Sequence, residues 1–248
     1  TTTPYYHPIL PLLCDLASVR EAAPGTPLPA CPPRAALDDA REHVATALEA
    51  FAARFGARPT GMWPAEGALS DEALGLFDEA GVSWVATDQA LLRASQQAAG
   101  RPSAASPAAT AGSAAPGGAT TLAPIPPLQP WRFGSKRTAV FFRDQRISDL
   151  IGFSYATWRA SSAAGNLIEQ LEKLAHRAGE VPDGAHSPVV SIILDGENAW
   201  ESYPGNGTDF LDALYDGLSQ SKVLRATTFS RHLEESPHAG SLPRLSAG

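Results

Sequence analysis

Apolar residues recur with a helical period between residues 38 and 56. Steps of four, three and four residues place them on one face of a helix. These residues are Val44, Leu48, Phe51 and Phe55. Asp38 and Asp39 suit the positive amino end of such a helix, and Gly56 is typical of the residue that ends one. The pattern therefore predicts a helix over 38–55.

Strand-like apolar runs and helical patterns alternate along the rest of the chain. The most apolar run, 188–194, is typical of a parallel strand that is covered on both faces. This alternation predicts an α/β fold with a parallel sheet. The predicted strands are 61–66, 82–87, 138–142, 188–194 and 225–229. The further predicted helices are 70–80, 147–155, 167–178 and 208–219.

Residues 95–130 differ in composition from their surroundings. They are nearly all small or polar, with no large apolar side chain before Leu122. Such a segment buries too little surface to offset the entropy lost on ordering. We therefore expect a disordered insertion, with an ordered extended loop as the alternative, mainly for 121–130. The insertion lies inside one domain, 1–235, which is followed by a loop-like tail, 236–248.

The charge balance narrows the possible partners. The chain has 19 basic and 26 acidic residues, a formal net charge of −7. Nucleic acids and anionic membranes attract clustered cations, so neither is an expected partner. No apolar stretch approaches the roughly 18 to 20 residues that span a bilayer. No signal peptide is visible, and we interpret the sequence as a fragment of a cytoplasmic protein.

Carboxylates follow four of the predicted strands. They are Glu66, Asp88, Asp144 and Asp195. The carboxyl ends of parallel strands meet at one edge of a sheet, where sites are built. A pair of carboxylates can hydrolyse a glycosidic bond, and Trp63, Trp200 and Tyr203 could stack on sugar rings. The alternative is that each carboxylate caps the following helix. That alternative is weakest for the polar cluster 195–198.

The sequence does not indicate a metal or cofactor site. Its six histidines lack the HxH or HxxxH spacing of metal ligands, and the two cysteines, Cys14 and Cys31, lack CxxC spacing. We expect both thiols to be inert. No nucleophile elbow, phosphate-binding loop or dinucleotide-binding motif is present. His7, between two prolines, is either a substrate contact or a buried hydrogen-bonded histidine.

Four motifs in order resemble signature regions of glycoside hydrolase family 57. The segment PYYHPIL at residues 4–10 resembles the second region, GMWPAEG at 61–67 resembles the third, and LDGENAWE at 194–201 resembles the fourth. The segments FFRD at 141–144 and SDLIGF at 148–153 are typical of its α-amylase and amylopullulanase-like members. The first signature, a His-Gln-Pro strand, is absent. The sequence is thus identified as a member of this family from about residue 1 to 230, apart from the insertion.

The resemblance implies an incomplete (β/α)7 barrel, truncated at its amino end, with a retaining activity on α-glucans and no cofactor. By motif, Glu66 is the nucleophile and Asp195 the general acid/base. Arg143 would either hold Glu66 ionised or pair with Asp144 or Asp149. The residues that we assign to substrate binding are His7, Trp63, Arg143, Asp144, Glu197 and Trp200.

Three other functions stay open at this point. A 4-α-glucanotransferase would use the same two carboxylates with a sugar as acceptor. A non-catalytic glucan-binding relative would not need both carboxylates. A metal-dependent polysaccharide deacetylase on a related barrel would need an aspartate and two closely spaced histidines, which this sequence lacks.

Overall fold

The structure is a computed structural model that describes residues 1–30, 36–100, 128–179, 187–197, 199–237 and 239–248. The strands are β1 (Gly61–Met62), β2 (Trp84–Asp88), β3 (Trp131–Phe133), β4 (Ala139–Arg143) and β5 (Gly240–Leu242). The helices are α1 (Leu10–Cys14), α2 (Val19–Ala22), α3 (Leu37–Phe55), α4 (Asp71–Glu79), α5 (Gln89–Ala98), α6 (Gln145–Asp149), α7 (Ala160–Gly179), α8 (Thr208–Gln220) and α9 (Phe229–Glu235).

The strands form one mixed sheet in the order β1-β2-β4-β3-β5. β1, β2 and β4 are parallel, whereas β3 pairs antiparallel to β4 and parallel to β5. Two parallel bridges extend the parallel part on both sides, from Thr2 to Met62 and from Arg143 to Ser191. The carboxyl ends of these segments therefore share one edge, which we call the site edge.

Local sequence signals account for several element ends. Gly56 ends α3 with a φ of 75°, a left-handed conformation that glycine adopts without a steric penalty. Ser70 caps α4 by accepting a hydrogen bond from the Ala73 amide. Asp88 and Asp144 cap α5 and α6 in the same way. The helix-capping alternative is thus confirmed for these two strand-end carboxylates.

The two faces of the parallel sheet are covered differently. One face, with Met62, Val85 and Phe142, joins the main hydrophobic core, which includes residues of α1, α3 and α4. On the opposite face, Trp84 and Phe141 pack against Phe229 at the start of α9. A further cluster joins α6, α7 and α8. Both faces of the short strands are therefore removed from water.

Two predicted strands do not form. Within 188–194, Ser191 bridges to β4, while Ile192 is 37% exposed. A buried parallel strand needs partners on both sides, and apolar composition does not supply them. The segment 225–228 is irregular, and Thr228 caps α9 by accepting from the Arg231 amide, so a helix starts where the strand was predicted to end.

Other boundaries also shift. The loop-like sequence after residue 236 contains β5, and Leu245 is fully buried. The predicted helix 147–155 breaks into α6, a π-helical turn (Leu150–Ser154) and a 3₁₀ turn. The expected insertion begins too early, because α5 continues to Ala98, and 101–127 lie outside the described residues.

Candidate active site

Glu66 lies at the site edge on a tight turn that follows β1. The turn is a single 3₁₀ turn, Ala65–Gly67, and the Glu66 side chain is 77% exposed. The Trp63 ring packs on Gly67, where an added Cβ would lie 3.0 Å from the indole. Thr87 donates to the Gly67 carbonyl at 2.5 Å. The packing of Trp63 on Gly67 and the hydrogen bond from Thr87 of β2 thus fix the turn that carries the Glu66 carboxylate.

His7 contacts Glu66 across 59 residues of sequence. Its Nε2 lies 3.4 Å from Glu66 Oε1, and its Nδ1 lies 3.3 Å from the Thr3 hydroxyl oxygen. An ionised carboxylate only accepts hydrogen bonds, so Nε2 carries the proton in this contact. In a neutral ring Nδ1 then accepts from the Thr3 hydroxyl. The His7 side chain is 51% exposed, so the interpretation as a buried histidine is wrong.

Unfavourable backbone conformations cluster around this contact. Among the described non-glycine residues, four have a positive φ, and three of them are Tyr6 (61°), His7 (58°) and Glu66 (55°). A non-glycine residue in this region costs about 1–3 kcal/mol and persists where the surrounding structure imposes it. Such strain is concentrated at functional sites in proteins.

Asp195 lies at the same edge on an irregular segment. The backbone before it is held at Ile193, whose carbonyl accepts from Arg143 Nε at 3.0 Å and whose amide donates to Ser148 Oγ at 3.2 Å. Asp195 and Glu197 are both exposed, and Asn198 lies outside the described residues. Glu66 and Asp195 therefore lie at the same edge, but the backbone around Asp195 is held by fewer contacts than the backbone around Glu66.

Arg143 pairs with Asp149 at 2.7 Å and not with Glu66. Of the alternatives for Arg143, the structural pair with Asp149 is thus confirmed, and the alternative that Arg143 holds Glu66 ionised is wrong. The guanidinium links the end of β4, the helix α6 and the segment that leads to Asp195. Asp144 is 4% exposed and caps α6, and its burial raises the pKa of its carboxyl. One oxygen of Asp144 is thus already engaged by the Ile147 amide.

The aromatic residues after Asp195 are mainly structural. Tyr203 is buried, donates its hydroxyl hydrogen to the Ile151 carbonyl, and has its pKa raised to about 12 by that burial. The suggestion that Tyr203 stacks on a sugar is therefore wrong. Trp200 is half-buried, with ring centroids 5.4 Å from Tyr203 and 6.1 Å from Phe210. It covers Gly207 in the same way that Trp63 covers Gly67.

Sequence reasoning missed two residues at this edge, Thr3 and Tyr6. Thr3 contacts the remote nitrogen of His7, and nothing in a lone threonine four residues earlier indicates that role. The Tyr6 side chain is 85% exposed, beside His7. The two aromatic residues before His7, Tyr5 and Tyr6, were the signal in the sequence that could have identified Tyr6 as a candidate.

The described residues contain no group of three or more His, Cys, Asp or Glu side chains arranged to hold a metal ion. None of their helices is both long and apolar enough to cross a membrane.

Several solved structures have a fold similar to that of this chain. The α-amylase AmyC from Thermotoga maritima superposes with a TM-score of 0.65 and 13% identity over 100% of this chain and 51% of its own. A GH57 branching enzyme from Thermococcus kodakaraensis gives 0.66 and 15% over 99% and 48%. The 4-α-glucanotransferase from Thermococcus litoralis gives 0.54 and 18% over 82% and 27%. This chain spans about half the length of the first two.

The sequence comparison gives the family. No curated protein matches the chain significantly. The family described as glycosyl hydrolase family 57 matches residues 1–243, nearly the whole chain. Together with the mixed α/β sheet and its barrel neighbours, this match confirms the predicted fold, an incomplete (β/α)7 barrel. The chain belongs to glycosyl hydrolase family 57.

Proposed function

We propose that this chain carries the two catalytic carboxylates of a retaining enzyme that acts on α-glucans of the starch, maltodextrin or pullulan type. Glu66 is the nucleophile and Asp195 the general acid/base. The observation that carries the proposal is the contact between His7 and Glu66 at the site edge, with both residues in left-handed backbone conformations. Membership of the family supports the substrate class.

The first chemical step forms a glycosyl-enzyme. A Glu66 oxygen attacks the anomeric carbon while the bond from that carbon to the glycosidic oxygen breaks. Asp195 donates its proton to the departing oxygen, so the leaving sugar ends as a neutral alcohol. The anomeric carbon has then inverted once and is bound to Glu66.

The second step releases the sugar. Asp195, now ionised, takes a proton from water as the water oxygen attacks the anomeric carbon. The bond to Glu66 breaks, and the nucleophile returns to its carboxylate form. Two inversions give net retention of the α configuration, which distinguishes this route from single displacement.

His7 serves the nucleophile in this scheme. Its Nε2–H donates to one Glu66 oxygen, and the second oxygen is left to attack. A hydrogen bond donated to the ionised form of a carboxylate favours that form. His7 thereby orients Glu66 toward the sugar.

A glucanotransferase is the second candidate. A sugar hydroxyl that replaces water in the second step would give transfer instead of hydrolysis. The solved structures of similar fold include a 4-α-glucanotransferase and a branching enzyme as well as an α-amylase. Because Glu66 and Asp195 are exposed, both water and a sugar hydroxyl have room to reach the site as acceptor.

The test is incubation of the chain with soluble starch, pullulan and maltoheptaose, with products separated by size and their anomeric configuration read by NMR. Hydrolysis gives shorter α-configured products, whereas transfer also converts maltoheptaose into longer chains. The matched control, Glu49→Gln, alters an exposed carboxylate on α3 and should behave as wild type. Products of β configuration, or glucan binding without any turnover, would contradict the proposal.

A further inference from the structure

Tyr6 combines features that are unfavourable for folding. Its side chain is 85% exposed, the largest exposed fraction among the large apolar side chains of the described residues. Its backbone has a φ of 61°, which is a clear outlier for a bulky residue. An exposed ring recovers little hydrophobic free energy to offset that strain.

The turn that holds Tyr6 would be better formed by glycine. The His7 amide donates to the Pro4 carbonyl at 3.0 Å, which closes a four-residue turn with Tyr6 at its third position. A positive φ at the third position is the feature that selects glycine in type II turns. Local stability therefore does not explain an aromatic residue here.

Neighbouring groups contact the Tyr6 ring and tie its turn to α3. The Tyr5 amide donates to the His43 carbonyl of α3, which ties the turn to that helix. The Tyr6 ring meets the Tyr5 ring edge-on at 4.7 Å between centroids and the His43 ring at 6.1 Å. The next residue in the chain, His7, contacts Glu66. The ring is thus held in place while it faces solvent, one residue from the nucleophile's partner.

We propose that Tyr6 is a stacking platform for a pyranose ring of an α-glucan, in a binding subsite next to Glu66. The apolar C–H face of a glucose unit packs on the flat face of an aromatic ring. Trp63 and Trp200 are poorer platforms because Gly67 and Gly207 already pack against their rings. This inference rests on the proposed function, since it assigns a subsite of the same active site.

The test measures retention of the chain in native gels that contain soluble starch. Tyr6→Ala should weaken the apparent affinity for starch about three- to tenfold, the range typical of one aromatic contact. Tyr6→Phe should bind like wild type, because stacking uses the ring and not the hydroxyl. Tyr215→Ala is the matched control, since Tyr215 on α8 is 62% exposed and remote in sequence from both carboxylates.

A second variant separates binding from folding. Tyr6→Gly relieves the left-handed strain, so its melting temperature should equal or exceed that of wild type while its starch retention falls. A purely structural tyrosine would instead give a lower melting temperature.

Two outcomes overturn the inference, and they are distinguishable. If wild type is retained by starch and releases sugars, but Tyr6→Ala is retained equally, the platform is wrong and the proposed function stands. If wild type is neither retained nor active, the proposed function fails and the platform fails with it.

Discussion

The two predicted catalytic carboxylates are supported in different ways. Glu66 sits between Ala65 and Gly67, both buried, on a turn between β1 and α4, and it contacts His7. Asp195 follows a segment that bridges β4 at Ser191 and is then held through Ile193. Glu66 is thus positioned by packed backbone, whereas Asp195 depends on a few polar contacts.

This difference matters because the proposed retaining reaction requires the two carboxyl groups to lie close together. Retaining glycosidases hold their carboxyl groups about 5–5.5 Å apart. Strand neighbours are about 4.8 Å apart, and the Ser191 segment is the third neighbour from β1, so a flat sheet would separate them by roughly 14 Å. In the proposed mechanism, barrel curvature and the segment before Asp195 close that gap. We expect mutations near Asp195 to act through position and those at Glu66 through chemistry.

Glu66→Gln should have the largest effect. Glutamine keeps the size of the side chain and can still accept from His7, but its amide does not attack the anomeric carbon. Release of sugars from maltoheptaose should fall to the detection limit, while retention in starch gels should persist. Glu49→Gln is the control. Substantial turnover by Glu66→Gln would show that another carboxylate is the nucleophile.

Asp195→Asn should reduce turnover of starch by about 10²–10⁴-fold, the usual contribution of a general acid/base. An activated α-maltosyl fluoride should still react in the first step, because fluoride leaves without protonation. Glycosyl-enzyme should then accumulate, since deglycosylation lacks its base. Mass spectrometry should find the adduct on the peptide that contains Glu66, and an adduct on Asp88 or Asp144 would reverse the assignment.

Arg143→Met should destabilise the Asp195 side of the site selectively. It removes the hydrogen bonds to Ile193 and Asp149 and should lower the free energy of unfolding by about 1–3 kcal/mol. Amide exchange should accelerate near residue 193 and stay unchanged in 61–67. Arg146→Met, which removes an exposed contact to Gln170, should cost within about 0.5 kcal/mol. Equal acceleration in both regions would contradict the contrast between the two carboxylates.

Thr3→Val should produce the smallest effect, a loss of kcat of about fivefold, which corresponds to one hydrogen bond. Valine keeps the shape of threonine but does not donate to His7 Nδ1, whereas Thr3→Ser keeps the hydroxyl and should behave like wild type. Nitrogen-15 NMR of the His7 ring should show a weaker preference for the Nε2–H tautomer in the valine variant. If the serine variant is worse than the valine variant, Thr3 acts through packing.

Local signals predicted much of the fold correctly. The period of α3, the Ser70 cap and the ends of β2 and β4 all depend on residues within one or two turns of each other. The carboxylate on the turn after β1, Glu66, was found for the same reason, because strand, turn and helix follow one another in the chain. The family motif then singled out Glu66 and Asp195 among the carboxylates, which spacing alone did not do.

Non-local partners explain the errors. The run 188–194 is apolar enough for a strand, but a ladder requires a second chain segment on each side. The residues after 236 look like a loop, yet Gly240–Leu242 pairs with β3. Arg143 could pair with several carboxylates by type, and in the structure it pairs with Asp149 of α6. The first two outcomes depend on residues that are distant in sequence, whereas Arg143 and Asp149 are six residues apart.

The sequence by itself determined the helices α3, α4, α7 and α8, the ends of β2 and β4, and the chemical type of the candidate catalytic groups, because periodicity, capping and motifs are properties of neighbouring residues. Only the tertiary structure decided that His7 contacts Glu66, that Thr3 contacts the other ring nitrogen of His7, and that Tyr203 is buried. Those contacts join residues 52 and 59 positions apart in two of the three cases. Pairing at such separations is fixed by the closing of the sheet and its helices around a common core, which no local pattern encodes.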